Sequence, residues 1–335
     1  MSTDTRQDST AARGRRAPRS AGRHTDRSAV RSAVRSGGRR TDRSAGRFAA
    51  RHDAAQRPRR KGRSGLLVSA VAYLITFVIL FPLLWIVLLS FQSNENILEN
   101  PFTLADLSLA NYRRATETLN LLVMYKNTLI LAIVSVTLGL VVSYLAAFAL
   151  TRMVFRRGGR RAQNTLRYYF LGGLAVPVYI LLFPVYRIDI ALGLFGTHLA
   201  LILPYIAVTI PFNILLLTGF LRDFPEEIEQ AAVMDGVGVW RMAWRVVFPL
   251  MRPVIATLAI LNVIYVWNEF PFAVTLINDP TLTTASLGVS QFQGIYSVDY
   301  GAMMASATLV LLPQLAIYAV FQRQVIAGMT AGAVR

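Results

Sequence analysis

Six apolar runs, each about as long as a bilayer is thick, constrain this chain more than any other feature. They lie near residues 66–90, 128–150, 166–186, 199–221, 253–277 and 303–321. Crossing roughly 30 Å of hydrocarbon takes roughly 20 helical residues, and only a helix or a closed barrel satisfies every backbone N–H and C=O there. The sequence therefore predicts an all-α polytopic membrane protein with six transmembrane helices. Pro82, Pro177, Pro184, Pro204, Pro211, Pro271 and Pro313 fall inside these runs. Membrane helices tolerate proline because neighbouring groups and water satisfy the freed carbonyls, so the prolines are compatible with kinks or with helices that flex around a pathway.

The chain is 54% hydrophobic yet carries a formal charge of +17. Dividing it resolves the conflict. Residues 1–65 hold 18 arginines and Lys61 against five aspartates, which accounts for +14 of the total. This stretch is rich in Arg, Ser, Ala and Gly and poor in large apolar groups, so it is expected to stay disordered. Thr25-Asp26-Arg27-Ser28-Ala29 recurs at Thr41-Asp42-Arg43-Ser44-Ala45, which reads as low complexity. The first long apolar run starts only at Leu66 and is too long for a signal core, so a secretory leader is not expected. The expected organisation is a basic tail at 1–65 and a membrane domain at 66–335.

Arginine placement predicts the orientation. Arg152, Arg156, Arg157, Arg160 and Arg161 crowd the short loop 151–165, and Arg222, Arg241, Arg245 and Arg252 surround the loop at about 222–252. With six spans these loops share one side with the tail. The other side carries only Arg113, Arg114, Lys126 and Arg187. Positive loops stay cytoplasmic, so both termini and the 222–252 loop are expected on the cytoplasmic side of the cytoplasmic membrane.

Residues 225–249, PEEIEQAAVMDGVGVWRMAWRVVFP, look soluble although they lie between apolar spans. Pro225 suits a first helical turn, and Glu226 and Glu227 favour the positive end of its dipole. Ile228, Ala231, Ala232 and Asp235 fall on one helical face, and Gly236 supplies the stop. A second run puts Trp240, Ala243, Trp244 and Val247 on one face until Pro249, which is expected to break it. Two alanines on one side let another protein approach closely.

This stretch resembles the EAA loop of permease subunits of ABC importers: Glu-Ala-Ala, three residues, Gly, nine residues, Ile-x-Leu-Pro. Gln230, Ala231 and Ala232 stand at the first three positions, Gly236 at the glycine, and Val246, Phe248 and Pro249 at the end. Gln230 replaces the glutamate and so removes a carboxylate that could meet a basic group on an ATPase. Glu229 is adjacent but points about 100° round the helix. Phe81-Pro82-Leu83-Leu84-Trp85, Ser90-Phe91-Gln92-Ser93, Asn111-Tyr112, Asn127-Thr128-Leu129, Trp267-Asn268-Glu269-Phe270 and the end Gly328–Arg335 are similar to the carbohydrate-uptake branch, especially the shorter permease of maltose-type transporters.

The resemblance covers about 66–335 and implies a permease subunit for a sugar or oligosaccharide, working with a second permease, two ATPase subunits and an extracytoplasmic solute-binding protein. It implies that the 225–249 loop rides on the ATPase as a cytoplasmic coupling loop, through Glu229, Gln230, Ala231, Ala232, Asp235, Gly236 and Pro249. It also implies that loop 278–301 reaches the binding protein and that Gly328–Arg335 contacts the ATPase dimer.

The chain's own chemistry is sparse. Its two lysines, Lys61 and Lys126, end no Gly-x-x-x-x-Gly-Lys loop, so ATP and Mg are expected on a partner, and this chain is expected to bind no cofactor and to act as no enzyme. There is no cysteine, and His24, His52 and His198 make no pair at metal spacing. Polar groups within spans are costly and face cavities or neighbouring helices. Asn213, Asn262, Asn268 and Glu269 are therefore substrate-pathway candidates, with interhelical hydrogen bonding as the structural alternative. An ion-coupled secondary transporter would call for more buried acids than Glu269 and an internal repeat. A membrane-anchored basic scaffold would work through the tail by contact with lipid or nonspecifically with nucleic acid; no specific nucleic-acid partner is expected.

Overall fold

A computed structural model describes residues 63–103, 107–153, 159–223, 225–294 and 296–331. The chain divides into two compact units, Met1–Tyr73 and Leu74–Arg335. Of the first, the described residues 63–73 are helical. The predicted tail lies almost wholly outside the described residues.

Helices carry nearly all of the described structure. They are α1 (Arg63–Leu89), α2 (Asn94–Glu99), α3 (Ala110–Thr118), α4 (Leu121–Arg152), α5 (Gly159–Gly172), α6 (Val178–Leu192), α7 (His198–Arg222), α8 (Glu226–Met234), α9 (Val239–Asn268), α10 (Pro271–Leu276), α11 (Ala285–Val289) and α12 (Tyr300–Ala331). Among the described residues the sole β feature is the isolated bridge between Gln293 and Val298.

Five helices (α1, α4, α7, α9 and α12) are each long and apolar enough to cross a membrane alone. The run at 166–186 departs from the expected continuous span. It is divided between Gly159–Ala175 and Val178–Leu192, two helices bent by 102°, and supplies a sixth crossing if the pair counts as one. Pro177 explains the break: its ring disfavours the helical region for the preceding residue, and Val176 is extended at φ −86° and ψ 114°. The run at 253–277 is also divided. Helix α9 stops at Asn268, and Pro271 starts the separate helix α10.

The core sits where α4 packs against α7, the most extensive helix pair. Ser135, Gly139, Ser143 and Ala147 recur every fourth residue along α4 and are all buried. Small residues at this spacing let helix backbones approach, which in lipid replaces the missing hydrophobic drive between helices. At Gly139 an added Cβ would stand 3.4 Å from Thr209 Oγ1 and 3.9 Å from the Ile206 Cα of α7. Tyr144, Tyr205, Leu217, Leu258 and Phe272 fill the surrounding core. Leu74, Ile75, Phe77, Val78 and Ile79 of α1 are instead exposed, as a helix bathed in hydrocarbon allows.

Candidate functional site

The loop after α7 forms a small helical platform. Helix α8 ends in a Schellman motif: Gly236 N–H donates to Val233 O and Val237 N–H to Ala232 O, both at 3.0 Å. Gly236 has φ +75°, the left-handed conformation that glycine adopts without a Cβ penalty. The predicted stop is therefore at the predicted residue. Gln230, Ala231, Asp235 and Gly236 are exposed and Ala232 is half-buried, so the two-alanine side is open to approach.

Pro249 departs from expectation. It does not break the second run: Val239–Asn268 is a single helix that passes through a π-helical segment at Met242–Val247. The wider turn has a physical cause. Pro249 has no N–H for the carbonyl four residues back, and its ring would crowd that carbonyl in α geometry. Phe248 N–H donates instead to Ala243 O, five residues back. The predicted face also divides. Ala243 and Val247 are fully buried, whereas Trp240, in the first turn, is 67% exposed.

Glu229 faces inward. Its Oε1 accepts from Arg152 Nε at 2.7 Å, and Arg152 Nη2 donates to Leu221 O at 2.5 Å. The end of α4 is thus tied both to α7 and to α8. Thr151, Arg152, Glu229, Gln230, Val233 and Met234 line an open cleft of about 560 Å³ beside this junction. Sequence reading used Arg152 only for orientation; the signal for more was its place in the last turn of an apolar helix, where a cation meets unpaired carbonyls.

The four pathway candidates fall into three settings. Asn213 on α7 and Asn262 on α9 are buried and paired, Asn262 Nδ2 donating to Asn213 Oδ1 at 3.0 Å. Asn213 Nδ2 has no protein partner. Asn268 is exposed, and its Nδ2 donates to Ile264 O one turn back at 2.8 Å. Glu269 sits in the break between α9 and α10. Its carboxylate accepts from Phe272 N–H at 2.7 Å, Ala273 N–H at 3.2 Å and Tyr205 O–H at 2.6 Å. It caps α10 where Pro271 has already removed one N–H, and it holds that helix to α7.

Beyond α10, in loop 278–301, Arg114 of α3 pairs with Asp299 at 2.8 Å and Tyr296 is 99% exposed. The Asp279 carboxyl is held below the usual carboxylate range by hydrogen bonds from the Thr281 hydroxyl and N–H. Helix α12 reaches Ala331; the side chains from 325 onward and residues 332–335 lie outside the described residues, as does most of the predicted ATPase contact at Gly328–Arg335.

Residues 135–330 match the family described as binding-protein-dependent transport system inner membrane component. This chain belongs to that family. It is 37% identical over 257 residues to an ABC transporter permease protein, ORF2, of Caldicellulosiruptor sp. (strain Rt8B.4), a match covering 76% of this chain and 91% of that protein. It is 32% identical to the diacetylchitobiose uptake system permease protein NgcG of Streptomyces coelicolor, over 79% of this chain and 87% of that one. It is 28% identical to the trehalose/maltose transport system permease protein MalG of Thermococcus litoralis, over 79% and 94%. The fold agrees with a chain from the crystal structure of a bacterial ABC transporter that imports the acidic polysaccharide alginate, at a TM-score of 0.64 and 19% identity, covering 80% of this chain and 98% of that one. The chain is a multi-pass membrane permease subunit of an ABC importer, and the family's ATP hydrolysis is carried by separate subunits.

Proposed function

We propose that this permease moves a sugar or oligosaccharide inward, with a second permease, two ATPase subunits binding ATP and Mg, and an extracytoplasmic solute-binding protein. The sugar reading rests on relatives named for diacetylchitobiose and trehalose/maltose uptake. Both termini and the 222–252 loop face the cytoplasm. This follows from the arginine-rich 151–165 and 222–252 loops, with α5 and α6 counting as one crossing.

The α8 platform is the ATPase docking element. The observation that carries this is an exposed helix with Gln230 and Ala231 open, closed by a left-handed Gly236. ATP binding acts through it only if the partner contacts the platform differently in two states. The pathway runs past Asn268 and the Asn213–Asn262 pair, and Glu269 shapes it by holding α10.

Gly236→Arg tests the docking. Nothing lies within 4 Å of a Cβ built at Gly236, so the added bulk points to a partner, while the left-handed turn itself is strained by any side chain. The expected outcome is a membrane-inserted permease that no longer co-purifies with its ATPase and no longer takes up sugar. Normal association and uptake would overturn the reading.

A further inference from the structure

Three elements converge on Arg152. It closes α4, its Nε pairs with Glu229 of α8 at 2.7 Å, and its Nη2 donates to Leu221 O at the end of α7. Both side chains of the pair are only 15% exposed, so the pair is shielded from most of the screening that weakens surface ion pairs. Leu221 O lies in the last turn of α7, where carbonyls lack an intrahelical partner and the dipole favours a cation. The guanidinium is a planar fork of fixed donors, so it holds the two partners in one geometry. A lysine would place a single charge without that fork.

The placement matters because of what lies on each side. Helix α8 has nine residues and follows α7 after a short connection containing Pro225. A helix so attached would swing on its connection when pulled. Across the pair stand α4 and α7, the most extensively packed helices in the membrane domain, and α7 carries Asn213. We propose that Arg152 is a positioning residue for ATP-driven transport: its ion pair with Glu229 carries displacement of α8 into the α4–α7 pair. Glu229 is then the inward anchor of the platform and not a contact for the ATPase. This inference rests on the reading that α8 docks on an ATPase subunit.

The test uses the complete transporter in proteoliposomes and reads ATPase co-purification, ATP hydrolysis and solute uptake together. Arg152→Gln and Glu229→Gln are expected to keep the ATPase bound while uptake per ATP hydrolysed falls at least about fivefold, the low end of couplings between linked sites. A merely structural pair would lower uptake and hydrolysis in parallel and leave their ratio unchanged. Because the chain contains no cysteine, Arg152→Cys with Glu229→Cys can be joined by a short bifunctional thiol reagent. Joining is expected to raise uptake per ATP above that of the same protein left unjoined.

An unchanged ratio in both single variants overturns the proposal, as does a joined pair that recovers nothing. Loss of membrane insertion in the near-isosteric Glu229→Gln also overturns it, since the pair would then be a folding requirement. Failure of the docking reading is seen separately: Gly236→Arg would keep its ATPase and its uptake, whatever the Arg152 variants do.

Discussion

Tyr144 of α4 donates its hydroxyl to the carbonyl of Ala243 at 2.5 Å, inside the π-helical turn that follows the α8 platform. Phe248 N–H donates to that same carbonyl, which thereby uses both lone pairs. The Tyr144 ring also meets Trp244 and Phe248, each at a centroid distance of 5.5 Å. A turn that Pro249 forces open is thus closed by a side chain from another span.

Tyr144→Phe keeps the ring contacts and removes only the hydroxyl bond. Ala243 O retains Phe248 N–H, so the loss should be near the ordinary net worth of a hydrogen bond, about 1 kcal/mol. Thermal unfolding of the purified transporter, followed by size-exclusion fluorescence, should shift down by a few degrees while assembly persists. Tyr144→Ala also removes the ring contacts with Phe148, Trp244 and Phe248 and should cost about 3–5 kcal/mol by analogy with Phe→Ala in cores. Equal stability of the Phe and Ala variants would show that the aromatic cluster contributes nothing.

Glu269→Gln should act through folding. Three donors converge on the carboxylate, two from backbone N–H groups of α10 and one from Tyr205. A carboxamide turns an N–H₂ toward at least one of them, leaving a buried donor unpaired at a cost of about 1–3 kcal/mol. The amount of assembled complex should fall, while uptake per assembled complex stays near wild type. Full assembly with failed uptake would instead give the charge a direct part in translocation.

Asn213 and Asn262 can be separated into structure and pathway by changing them together. Asn213→Leu or Asn262→Leu strands one buried amide, and interhelical polar bonds in membranes average about 0.6 kcal/mol. The double change removes both partners and should assemble better than the sum of the singles predicts. If the pair borders the sugar pathway, the double variant should assemble yet show a raised half-saturating sugar concentration. Wild-type uptake kinetics in a well-assembled double variant would remove these amides from the pathway.

Removing residues 1–60 should leave transport intact. The segment's composition gives it nothing with which to build a core. Lys61 and Arg63 remain to hold the orientation of α1. Uptake per inserted complex is the measurement, and an inserted but inactive truncation would assign the tail a direct role.

The sequence by itself determined the class of fold, the number of apolar runs and the place of the platform. Each of these depends on local chemistry: bilayer-length apolar runs, a proline and two glutamates at a helix start, a glycine at a left-handed stop. The Gly236 turn followed from it at the expected residue. Two breaks and one continuation did not. Hydropathy counts apolar residues and does not distinguish a proline that bends a span from one that a helix absorbs. Pro177 divides 166–186, whereas Pro249 is carried through by a π turn that Tyr144 supports from 99 residues away. Only the tertiary structure decided what Glu229 and Glu269 do. Their partners, Arg152 and Tyr205, lie 77 and 64 residues away. A carboxylate's role is set by which donors the packing brings within hydrogen-bond reach, and local spacing holds no record of that.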